Sequence, residues 1–115
     1  MRYVSVPALI LGFAMIVCVP VLAQNQPVVE RGMKVFADSR CSLCHSVAGK
    51  GNAKGVLDNV GSQLSADEIR QWITHPQEMA EKAKATRKPP MKSFASMPKE
   101  DLDALVAYLQ TLKAK

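Results

Sequence analysis

Cys41-Ser42-Leu43-Cys44-His45 places two thiols and an imidazole within one short stretch of chain. Cysteines three positions apart lie on one side of a helical turn, and the histidine falls one turn beyond Cys41. This spacing suits covalent haem attachment. Each thiol can add to one vinyl group of the ring and form a thioether, while the imidazole comes under the iron as the proximal axial ligand. Three tasks met by one spacing make C-x-x-C-H a specific signal. A C-x-x-C pair could also serve thiol–disulfide exchange, but that chemistry expects a βαβ setting, and no such pattern is visible. A structural zinc site needs a full tetrahedral ligand set. The chain offers only His75 besides, and no second cysteine pair. A plain disulfide suits an oxidising compartment.

An iron held by His45 needs a partner on its other face, and thioether sulfur is a common one that raises the reduction potential. Met33, Met79, Met91 and Met97 are the candidates beyond the N-terminal segment. Met91 stands in Lys88-Pro89-Pro90-Met91-Lys92-Ser93-Phe94, a proline-stiffened loop that can present a side chain at fixed depth with little entropy cost. Met33 reads as core of a first helix, and Met79 and Met97 as adaptable gap fillers. His75, before Pro76, reads as a helix-end residue. Trp72 can offer its indole N–H to a haem propionate or serve as an aromatic cover for the ring edge.

The elements that position these groups read as helices. Glu30 to Ser39 is a candidate helix running into the cysteine motif, preceded by a short linker over Gln24 to Val29. Residues 49 to 61 form a glycine-rich loop by composition. Ser65-Ala66-Asp67-Glu68 is a capping box that opens a helix carrying Ile69, Trp72 and Ile73. His75-Pro76 ends it, and Pro76 can start another short helix over Gln77 to Ala85. Thr86 to Met97 lacks periodicity. A last helix follows Pro98, with Leu102, Leu105, Val106, Leu109 and Leu112 on one face and charges that suit the helix dipole. The expected class is all-α, with three to five short helices around one covalently bound haem.

The 115-residue length sets a prior of one domain. Arg2, an apolar run from Val4 to Leu22 and Ala23 read as a secretory signal peptide over residues 1–23, which leaves a haem-binding domain over 24–115. The competing expectation is an uncleaved membrane anchor, interrupted by Pro7, Gly12 and Pro20. Either delivers the domain across the membrane, and the expected location is periplasmic. Without Arg2 the domain carries 14 basic and 10 acidic side chains, a net charge of +4. That excess, with no basic stretch interleaved with aromatics, gives no case for nucleic acid. Lys82, Lys84, Arg87, Lys88, Lys92 and Lys99 fall in a run free of acidic residues, and Arg40, Lys50 and Lys54 flank the motif. Such a rim would steer redox proteins with acidic docking surfaces.

From residue 24 onward the sequence resembles a class I monohaem cytochrome c of the small bacterial periplasmic kind. The resemblance rests on Gly32-x-x-x-Phe36 before the motif, on Leu105-Val-Ala-Tyr-Leu109 in the last helix, and on Met91 with Phe94 three residues on. It implies that Gly32 packs near Tyr108 where the terminal helices cross, and that Met91 is the distal axial ligand. It also implies a haem pocket that includes Leu57 and Phe94, alongside Trp72. The resemblance carries an electron-transfer role and no catalysis. The alternatives are a haem enzyme or gas-binding protein with an open axial site, and a haem-free thiol–disulfide oxidoreductase. Two departures stand out. Gly55 replaces the proline whose carbonyl receives the proximal histidine N–H in the family, and Lys92 rather than proline follows Met91.

Overall fold

The computed structural model describes residues 21–114, with side chains from residue 25. The expected signal peptide lies outside the described residues except for 21–23. Among the described residues there are five α-helices: α1 (Val21–Asp38), α2 (Val60–Gln63), α3 (Ala66–Thr74), α4 (Pro76–Ala83) and α5 (Lys99–Gln110). The mostly helical class is as expected from the sequence. A two-stranded antiparallel hairpin, β1 (Ser46–Val47) with β2 (Lys50–Gly51), interrupts the expected glycine-rich loop. A 3-10 turn over Ala53–Gly55 and α2 follow in the same stretch. Among the described residues no helix is long and apolar enough to cross a membrane.

The first helix corrects the sequence reading. The expected linker over Gln24 to Val29 is helical, and α1 continues through Pro27. Proline takes away one N–H, yet the helix on either side supplies the remaining bonds, so composition alone misjudged this segment. Met33, expected in the core, is 52% exposed. It lies on the outer face of α1, while Val35 and Phe36 turn inward.

Helices α1 and α5 cross at Gly32. A Cβ at this position would collide with the Ala104 carbonyl oxygen and come within 2.6 Å of Tyr108 Cβ. The missing side chain is therefore what lets the two backbones approach, as the resemblance implied. Beside the crossing, Phe36 and Tyr108 meet edge to face with ring centroids 5.8 Å apart. Arg31 donates to Asp101 at 2.8 and 2.9 Å and to Glu100 at 3.0 Å, which clasps the same pair of helices from the solvent side.

The capping box at the start of α3 is formed in both directions. Glu68 N–H donates to Ser65 Oγ at 3.2 Å, and Ser65 N–H donates to the Glu68 carboxylate at 2.7 Å. Ile69 and Ile73 from α3 join Leu102, Leu105, Val106 and Leu109 from α5 in the buried cluster. The predicted apolar face of the last helix is thus its core face, with Leu112 packed against it just past the helix end.

Candidate haem site

The motif is built on a 3-10 turn over Cys41–Leu43, not on a continuation of α1. Helix α1 stops at Asp38, and Arg40 takes a left-handed backbone (φ 56°) that redirects the chain. A non-glycine residue pays for this conformation in strain, which is tolerated where it aims a functional segment. Backbone bonds from Cys44 N–H and His45 N–H to the Cys41 carbonyl, at 3.1 and 2.9 Å, then close the turn. Both thiols are half-buried and free. Burial pushes the Cys41 thiol above its ordinary range, with Cys44 adding to the rise. A thiol tuned for disulfide exchange is shifted the opposite way.

His45 is oriented by the chain that follows it. Its Nδ1–H donates to the Gly55 carbonyl at 3.1 Å. That bond assigns the proton to Nδ1 and leaves the Nε2 lone pair for a metal. Gly55 thus supplies the acceptor that the proline supplies in the family. Burial lowers the affinity of His45 for a proton, the Gly55 bond opposes this, and the charge of Arg87 adds to the lowering. Nothing in the local spacing of the motif foretold two other contacts. Asn52 donates through its amide to the Leu43 carbonyl at 3.1 Å and through its backbone to the His45 carbonyl at 3.0 Å. Arg87 donates to the Cys44 carbonyl at 2.7 Å across 43 residues of sequence. The Gly51-Asn52 pair is a turn signal that could have marked Asn52. Arg87 had no signal beyond its place in the basic run.

Cys41, Cys44, His45 and Met91 line one cavity of about 860 Å3. Ile69, Ile73, Leu105 and Leu109 supply its back wall, so the core cluster is also the wall of the site. Leu57, Trp72 and Phe94, the expected pocket residues, are all in the lining, as is Met97. Met33, Met79 and His75 lie outside it. His75 is exposed at the end of α3, with Nδ1 2.8 Å from Thr74 Oγ1. The loop that bears Met91 is anchored to α3 on its far side. Phe94 N–H donates to the Ile73 carbonyl at 2.9 Å, and Ser93 Oγ donates to the Thr74 carbonyl at 2.7 Å.

The size, the apolar walls and the few converging polar groups match a site for a cofactor. The donor set fits haem in particular: two thiols for thioethers, an imidazole with a free Nε2, and thioether sulfurs on the same cavity. Among the described residues no three His, Cys, Asp or Glu side chains converge as they would to hold a bare metal ion.

Comparison with known proteins agrees with this chemistry. The model of the family described as cytochrome c matches residues 29–113. A similar protein is cytochrome c oxidase subunit 2 of Alkalihalophilus pseudofirmus, 29% identical over 98 residues, with 77% of this chain and 27% of the relative covered. The chain therefore spans about a quarter of that relative's length. No solved structure matches the chain.

Proposed function

This chain belongs to the cytochrome c family, whose members hold haem covalently, and from that premise we propose that it is an electron carrier with a single haem closed by His45 and Met91. The observation that carries the reading is the shared cavity: His45, with Nδ1 tied to Gly55, lines it together with Cys41, Cys44 and Met91. Haem held there would supply one-electron chemistry between Fe(III) and Fe(II). Cys41 and Cys44 anchor the ring through thioethers, so it stays attached in both states. His45, through Nε2, and Met91, through its sulfur, are the side chains that would hold the iron. With both side chains holding the iron, the chain would carry electrons and would need no catalysis of its own. Leu57, Trp72 and Phe94 line the cavity and would shield the ring from water, and the Trp72 indole N–H would be a donor for a propionate.

The N-terminal sequence supports export through a signal peptide cleaved after Ala23 and residence in the periplasm. Lys84, Arg87 and Lys88 stand at the edge of the cavity. A cationic edge favours redox proteins with acidic docking surfaces. The relative named as an oxidase subunit supports a place as carrier to, or small subunit of, a larger redox assembly.

The visible spectrum tests this reading. The purified protein should show a c-type α band when reduced and, when oxidised, the weak far-red band of methionine-bound Fe(III). Met91→Ala should abolish the far-red band and Met97→Ala should keep it. The reverse result would give Met97 the ligand role, for which its place on the same cavity is the specific support. Rapid carbon monoxide binding by the reduced wild-type protein would replace the carrier with the open-site reading.

A further inference from the structure

Gly55 and Arg87 make one arrangement on the His45 side of the site. Gly55 offers its carbonyl to His45, and it also offers the space of a missing side chain. A Cβ at residue 55 would run into the Cys44 carbonyl oxygen and the Arg87 guanidinium and come within 2.9 Å of His45 Nδ1. The guanidinium occupies that space and donates to the Cys44 carbonyl at 2.7 Å. A side chain here would meet the Cys44 backbone, which cannot swing aside, as well as the flexible end of Arg87. The missing side chain at residue 55 thus leaves room for Arg87 to reach the Cys44 carbonyl.

Arg87 also lies four residues before Met91 on the same loop. Ser93 and Phe94 fix the loop to α3 after Met91. Arg87 fixes it to the cysteine motif before Met91. The Met91 segment is thus held at both ends, and one of the holds reaches the residue next to His45. A charged donor makes a stronger bond to a carbonyl than a neutral one. The guanidinium also stays charged at every relevant pH.

We propose that Arg87 is a positioning residue of the haem site: it ties the Met91 loop to the Cys44 carbonyl in the space left by Gly55, and its fixed positive charge beside His45 favours the reduced iron. This inference rests on the haem reading above. The sign follows from electrostatics. Reduction adds one electron to the site, and a nearby positive charge stabilises the more electron-rich form. Arg87 is exposed, so solvent and salt weaken the effect without reversing it.

The test is a redox titration of the full-length haem protein against soluble mediators. Arg87→Gln should lower the reduction potential by about three- to tenfold in the one-electron equilibrium constant, tenfold being about 59 mV. Arg87→Lys keeps the charge but loses the forked geometry, and it should recover most of the drop. Gly55→Ala, which displaces the guanidinium, should lower the potential in the same direction. An Arg87→Gln protein at the wild-type potential would overturn the proposal, even if it melts earlier. Should Gly55→Ala not fold, the Arg87→Gln and Arg87→Lys pair decides the matter alone. A wild-type protein with no c-type spectrum would defeat the haem reading. A c-type spectrum with an unmoved Arg87→Gln potential would defeat only the role of Arg87.

Discussion

His45 depends on a carbonyl ten residues away. The imidazole alone could carry its proton on either nitrogen, and the Gly55 bond settles the choice in favour of a free Nε2. The same reasoning separates the methionines. Met91 and Met97 both reach the cavity, but Met97 also packs against the buried cluster and is bonded through its N–H to the Phe94 carbonyl at 3.0 Å. A residue held in the core is less free to turn its sulfur to a metal. Thioether sulfur favours the reduced iron more than imidazole does. Met91→His should therefore lower the reduction potential and remove the far-red band while the haem stays attached. A titration that finds the potential unchanged or raised would count against Met91 as the ligand.

Between elements, the α1–α5 crossing and the α3–α5 contact hold the walls of the site. On an exposed helix, Gly→Ala stabilises by about 1 kcal/mol. At Gly32 the new methyl group meets the Ala104 carbonyl oxygen, and a backbone atom cannot swing aside. Gly32→Ala should instead destabilise by about 1–3 kcal/mol, the usual cost of overpacking. That would lower the thermal midpoint by several degrees in a domain of this size. A midpoint at or above wild type would show that the crossing has slack. The second contact is electrostatic. Asp103 on α5 accepts from Arg70 on α3 at 2.7 Å and from Lys99 at 2.6 Å. Hydrogen bonds from Lys99 and then Arg70 hold its carboxyl below the ordinary value of 3.8. A depressed carboxylate contributes its stability above the unfolded value and loses it as pH falls through the folded one. Asp103→Asn should thus be slightly less stable than wild type in urea at neutral pH. The two should converge once the pH has fallen below the depressed value. A gap that persists there would assign the loss to something other than charge.

For the whole molecule, the cavity is as important as the core. Among the described residues no large side chain is fully enclosed, and Ile69 and Leu105 come nearest at 2% exposure. Ile73, Leu105 and Leu109 have the packed cluster on one side and the cavity on the other. Without a bound group, the apolar walls formed by Ile69, Ile73, Leu105 and Leu109 face water along the cavity and forfeit part of the stabilisation that burial gives. The stability of a typical domain is a small surplus of about 5–15 kcal/mol, so such a loss is serious. The haem-free chain should therefore lack a cooperative thermal transition, as followed by near-UV circular dichroism or calorimetry. A sharp native-like melt without haem would contradict this. The cationic edge acts at the same scale. Electron transfer to an acidic partner should slow with rising ionic strength, and a flat response would remove the steering argument.

Much of this was legible before any coordinates. Local chemistry depends on residues within a turn or two of one another. The C-x-x-C-H spacing, the Ser65–Glu68 box and the leucine periodicity of α5 could all be read on that ground. The proline-stiffened loop and the family resemblance together picked out Met91. The readings that went astray depended on longer-range packing. Gln24 to Val29 looked like a linker, yet it is helical because the helix to which it is joined continues through it. Met33 carries a core side chain, but the rotation of α1 against α5 turned it outward. The role of Arg87 lay furthest from the sequence, since 43 residues separate it from its acceptor. The sequence by itself determined which groups could bind haem, because covalent spacing fixes what neighbours along a chain can do. Only the tertiary structure decided that Gly55 serves His45, that Arg87 fills the space beside it, and that Met91 faces the same cavity. Hydrogen bonds and excluded volume act through space, and the chain must fold before they select their partners.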